Sequence, residues 1–185
     1  DSVFYAMKSK GDIVAFKFLT PDSLVTEEFN FPSNEENEFE ILYYDSSLKK
    51  LVLICKECGS DDKNKVSSWA FDLGKNAFNE GPYTIDPAEV LTRQQPNEKR
   101  FKPSAARLHP LTGELYIISS INKTLVIADR KGAIKRIFPL DPDTFKQPEG
   151  IDFTPEGDMF ISNEAGEAGL ANILFFKYKK SHNEN

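Results

Sequence analysis

The sequence predicts an all-β chain made of repeated four-stranded antiparallel meanders, the build of β-propeller blades, and it supplies about three and a half of them. Three observations carry the prediction. Three segments superpose as strand, polar turn and strand, and a third β-rich run follows each. The second and third repeats open at Ser104 and Glu149, 45 residues apart, within the roughly 40–50 residues of one blade.

Residues 3–8, 12–18 and 24–31 give three apolar alternating runs, but no strand that opens a hairpin as residues 149–153 do. The first full repeat pairs 40–45 with 51–55 across Asp45, Ser46 and Ser47, and continues at 66–72. The second pairs 104–109 with 115–119 across a turn holding Pro110 and Gly113, and the third pairs 149–154 with 159–163 across Pro155 and Gly157. Proline presets φ and glycine admits positive φ, which is what such turns require. Third strands follow at 123–129 and 172–178, and 133–139 reads as a fourth. The repeats are thus placed near 1–31, 39–83, 101–140 and 145–178. No domain boundary is evident.

Glu40 and Ser104 are 64 residues apart, and the excess is a polar inserted segment, 84–100. Within it, Asp86 before Pro87 predicts the start of a short helix, because Pro suits the first helical position and Asp caps it. The tail, 179–185, is polar and aperiodic and is expected to be disordered. An open half-ring would expose sheet edges and apolar faces, so further chain upstream is expected to complete the propeller.

Composition narrows the function classes. The 185 residues are 39% hydrophobic and carry 23 Lys and Arg against 29 Asp and Glu, a net charge of −6. Scattered basic residues in an acidic chain disfavour nucleic acid as a partner. No run approaches the about 20 apolar residues of a membrane-spanning helix.

The run FKPSAARLHPLTGELYIISS at 101–120, NKTLVIADRKG at 122–132 and FKQPEGIDFTPEGDMFISNE at 145–164 resemble NHL-type propeller repeats. With PLDPDTF at 139–145 between them, they resemble the SdiA-regulated (YjiK-like) family. That resemblance implies a six-bladed β-propeller, often exported and lipid-anchored, in the periplasm or at the outer membrane of the bacterial cell envelope. It implies no established activity. The chain departs from the family's Glu-Gly strand opening at Ser104-Ala105 and at Glu40-Ile41.

The first strand of a propeller blade lines the central channel, which would bring Glu149, Glu40 and Ser104 toward the axis, with Asn163 and Glu164 near a channel end. A hard cation such as Ca2+ takes 6–8 oxygen ligands, and Glu149, Asn163, Glu164 and Glu40 are the candidates to hold one. This loosely resembles gluconolactonase-like propellers. The competing reading makes Glu149 a strand-bonding residue, and Asn163 and Glu164 ordinary turn residues. Cys55 and Cys58 form a lone CxxC after an apolar strand, open to a local disulfide, two thiols, redox chemistry or metal. His109 reads as a solvated turn residue. Phe16, Phe18, Phe39, Tyr43, Phe176 and Tyr178 read as core against a carbohydrate-stacking stripe, and Trp69 as either.

The functional expectation is a non-enzymatic binding or scaffolding module for a protein or small molecule at a propeller face. The alternative is a metal-dependent hydrolase of the lactonase or phosphoesterase type. It would use a channel-bound cation to polarise a carbonyl or phosphoryl oxygen.

Overall fold

A computed structural model describes residues 2–92, 100–166 and 169–180. The fold is all-β: four antiparallel sheets, each a meander of strands adjacent in sequence. The chain divides into two compact units, Asp1–Ala88 and Glu89–Asn185, where the sequence alone suggested no boundary. The division falls inside the expected insertion.

In the first unit, β1 (Phe4–Met7), β2 (Ile13–Thr20) and β3 (Ser23–Phe29) form a three-stranded sheet. Next come β4 (Asn37–Asp45), β5 (Lys50–Cys58), β6 (Val66–Asp72) and β7 (Ala77–Ile85) in a four-stranded one. The Asp45 turn closes because Asp45 Oδ1 accepts from the backbone N–H groups of Ser47 and Leu48 at 2.9 and 3.2 Å, the Asx geometry that lets a carboxylate stand in for a turn carbonyl. Strand β7 runs two residues into the expected insertion. There Asp86 Oδ1 accepts from Ala88 N at 2.9 Å and caps α1 (Ala88–Thr92). This helix is too short to cross a membrane, and no described helix is long and apolar enough to do so. Most of the remaining insertion, 93–99, lies outside the described residues.

Alternation places Tyr5, Met7, Ile13 and Phe29 on the face of β1–β3 that packs against Phe39, Leu51, Leu53 and Phe71 of β4–β7. Phe31 sits among them, 4.9 Å edge-on to Trp69 and 5.0 Å from Phe39 between ring centres. Trp69 is therefore part of this core. The opposite face of β1–β3 carries Phe4, Phe16 and Phe18, stacked or edge-on at 5.4–6.1 Å. Phe18 is 50% exposed. The expectation that Phe16 and Phe18 are core is corrected: they lie on the face turned away from the second sheet.

The second unit holds β8 (Ala105–Leu108), β9 (Leu115–Ser119), β10 (Thr124–Ala128) and β11 (Ile134–Pro139), then β12 (Pro148–Phe153), β13 (Met159–Asn163) and β14 (Asn172–Phe176). The first strands of the two sheets are neighbours, with β12 packed on β8 and β9. Between the sheets lie Ala105, Ile118, Leu125, Leu140 and Ile161. On β14, Ile173 and Phe175 are exposed, and so is Phe176, contrary to its expected burial. No described fourth strand covers them. Lys179 and Lys180 have no regular structure, and the rest of the expected tail, 181–185, lies outside the described residues.

Candidate functional site

Glu149, Asn163 and Glu164 belong to the second unit and Glu40 to the first. Glu149 sits at a β-bulge. Pro148 pairs with Asn163 and Gly150 with Ser162, so Glu149 is the extra residue between them. Gly150 follows for a steric reason, since a Cβ there would lie 2.2 Å from Ser162 Oγ. The Glu149 charge acts on Lys123, whose ammonium donates to the Lys146 carbonyl. Burial pushes the Lys123 pKa down, and Glu149 opposes the shift.

Asn163 ends β13 and is 4% exposed, a buried strand-end residue and not the turn residue of the competing reading. Its Nδ2 donates to Asn172 Oδ1 at 2.8 Å and to the Thr144 carbonyl at 3.3 Å. Its Oδ1 is buried and accepts no hydrogen bond. Glu164 is exposed and donates its backbone N–H to the Gln147 carbonyl at 2.8 Å. Glu40 forms an ion pair with Lys56, which also reaches Glu38 at 3.0 Å. Burial works against the Lys56 charge, but Glu40 and Glu38 outweigh it and its pKa rises.

Within the second unit the buried Asn163 Oδ1 is without a hydrogen-bond partner and the Glu149 charge acts on Lys123, while in the first unit Glu40 is ion-paired with Lys56. Among the described residues, the group of three or more His, Cys, Asp or Glu whose ligand atoms lie close enough to share an ion is Cys55, Cys58 and Asp61.

His109 is 2% exposed, which corrects the expectation of a solvated turn residue. Its Nδ1 accepts from Leu111 N and Thr112 N, each at 3.3 Å, closing its own hairpin. Its ring lies 4.9 Å from Phe153, 5.1 Å from Tyr178 and 5.4 Å from Tyr116. The imidazole thus ties β8–β9 to the β12–β13 hairpin. Burial holds its pKa below the ordinary histidine value, although Glu114 and a hydrogen bond to the Gly157 backbone favour the charged form. The neutral ring acts as a turn acceptor and an apolar filler.

Sequence reasoning passed over a buried polar network beside these residues. Ser104 Oγ donates to the Pro148 carbonyl at 2.8 Å across the two sheets and accepts from Ser120 N at 3.1 Å. Asn122 Oδ1 accepts from Lys102 N at 2.9 Å, and Nδ2 donates to the Arg100 carbonyl at 3.1 Å. Ser119 Oγ lies 2.6 Å from both Asn122 Oδ1 and the Lys102 carbonyl. The network anchors the entry into β8.

In the first unit, Cys55 and Cys58 are joined as a disulfide. Positions three apart in a regular strand face opposite sides. Here Phe39 pairs with Cys55 and Glu38 with Glu57, so Lys56 is bulged out and the two sulfurs return to one side.

No family model matches the sequence, and no curated protein matches it. Among solved structures, the chain is similar to a crystal structure of a protein of unknown function from Bacteroides caccae, with a TM-score of 0.51 at 10% identity. The match covers 92% of this chain and 59% of that one, so the chain spans about three fifths of that structure's length. At this identity the likeness concerns the fold alone.

Proposed function

We propose that the chain is a non-enzymatic binding or scaffolding module, built as blades of a six-bladed β-propeller of the SdiA-regulated kind and working in the bacterial cell envelope. The observation that carries the reading is that the polar side chains nearest to a chemical role are engaged in holding strands. Glu40 is paired with Lys56, Asn163 bridges Thr144 and Asn172, and His109 is enclosed by Tyr116, Phe153 and Tyr178.

The exposed apolar faces of β1–β3 and β14 support the propeller, because neighbouring blades cover such faces for one another. The disulfide supports an oxidising compartment. Blade-end loops would supply the contacts to a protein or small-molecule partner.

One observation favours the alternative, a metal-dependent lactonase or phosphoesterase: the buried Asn163 Oδ1 accepts no hydrogen bond. An assay with chromogenic lactone and phosphoester substrates in excess Ca2+ tests the choice. No turnover above buffer is expected. Turnover that disappears in Glu149→Ala would overturn the non-enzymatic reading.

A further inference from the structure

We propose that Cys55, Cys58 and Asp61 form a zinc site that opens when the Cys55–Cys58 disulfide is reduced. The ligand atoms of the three residues lie within 4.8 Å of one another. A tetrahedral zinc with Zn–S bonds of about 2.3 Å needs sulfurs about 3.8 Å apart. The sulfurs must therefore part once their bond is broken, and the bulge at Lys56 already holds them on one side of the strand.

Asp61 holds a carboxylate ready beside the two sulfurs. Its side chain is 7% exposed, and Oδ1 accepts no hydrogen bond. The other oxygen, Oδ2, is fixed by Ser67, accepting from its backbone N–H at 2.8 Å and its hydroxyl at 3.0 Å. The carboxylate is thus held rigidly with one oxygen spare. The charge opposite that oxygen is Lys65 Nζ at 3.4 Å, on a side chain 42% exposed that can swing into water when a metal arrives.

Both cysteines are buried, and Cys55 Sγ lies 3.8 Å from the Glu38 carbonyl, an acceptor for the thiol in the reduced state. Two thiolates and one carboxylate bring three negative charges to a divalent ion, leaving the loaded site with one net negative charge. The fourth position of the tetrahedron is left for water, as in open zinc sites.

Two equivalents of a thiol reductant deliver two electrons and two protons; the Cys55–Cys58 bond breaks, two S–H bonds form, and the reductant leaves as its own disulfide. Zn2+ then displaces both thiol protons to solvent. Disulfide and metal exclude each other.

The test uses the whole chain, reduced with a phosphine and titrated with Zn2+ against a chromophoric chelator, with Co2+ as a spectroscopic substitute. The reduced protein is expected to bind one equivalent of metal, with thiolate-to-cobalt charge-transfer bands, and the oxidised protein none. Asp61→Asn should weaken zinc by more than about tenfold, the least that losing even an outer-shell partner costs, while keeping the thiolate bands. The cobalt spectrum of the unsubstituted protein stands even if that variant folds poorly. No uptake by the reduced chain, equal uptake by the oxidised chain, two chains per metal, or unchanged affinity in folded Asp61→Asn would each overturn the proposal.

Discussion

In the first unit the space between the sheets is filled by rings: Phe29, Phe31, Phe39, Phe71 and Phe78, with Trp69 at their edge. In the second, smaller residues such as Ala105, Ile118 and Ile161 fill it, and short polar side chains tie the strands. Ser104, Ser119, Asn122, Thr124 and His109 are all buried there. The same meander is therefore closed by two chemistries. Rings contribute apolar area and tolerate imprecise placement, whereas buried hydroxyls and amides stabilise only when each finds its partner. The ring-filled unit should respond to lost volume, and the polar one to a single lost hydrogen bond.

The largest effect is expected from Phe71→Ala. Phe71 is fully buried against Phe29 and Phe78, and such truncations cost about 3–5 kcal/mol. Chemical denaturation followed by the fluorescence of Trp69, the single tryptophan, should show that loss. A change below 1 kcal/mol, on the order of a surface substitution, would break the contrast from the aromatic side.

Asn122→Ala attacks the polar side. It removes the acceptor of Lys102 N and the donor to the Arg100 carbonyl, and each such hydrogen bond contributes about 0.5–1.5 kcal/mol. Hydrogen exchange read at the Lys102 amide should accelerate. Unchanged protection there would show that the network is not a tie.

Reducing Cys55–Cys58 is expected to cost roughly 2 kcal/mol, because the loop it closes is only four residues long. Denaturation midpoints with and without a metal-free reductant measure it.

His109 gives the smallest and most specific effect. Its folded pKa lies below the unfolded value, so the unfolded chain binds the proton more readily. The contribution is fully present above about pH 6.5, the unfolded pKa, and is lost as pH falls through the folded pKa. The denaturation midpoint of the natural protein should therefore drop more between pH 7 and 5 than that of His109→Asn, which keeps a turn acceptor. Parallel profiles would contradict the burial of a neutral ring.

The strands were legible because they rest on patterns the chain displays openly. The β-rich composition of 66–72 and turn chemistry at Gly113 and Gly157 placed elements within a few residues of β6 and of the β8–β9 and β12–β13 hairpins. What alternation cannot show is which face a second sheet covers. Phe16 and Phe39 look alike in sequence, yet one lies on an outer face and the other in the core. Polar residues were harder still. His109 in a Pro turn and Asn163 at a strand end carry no local mark of burial, because burial comes from Phe153, Tyr178 and Asn172, far along the chain. Asp61 was missed because its neighbourhood with Cys55 and Cys58 depends on a bulge that no residue type announces.

That the polar side chains of the second unit are fasteners, and not a metal centre, is open to a direct measurement: calorimetric titration of the whole chain with Ca2+, beside Glu149→Ala. No saturable heat is predicted in either. A stoichiometric heat in the natural protein that vanishes in a folded Glu149→Ala would contradict the account and make Asn163 Oδ1 a ligand.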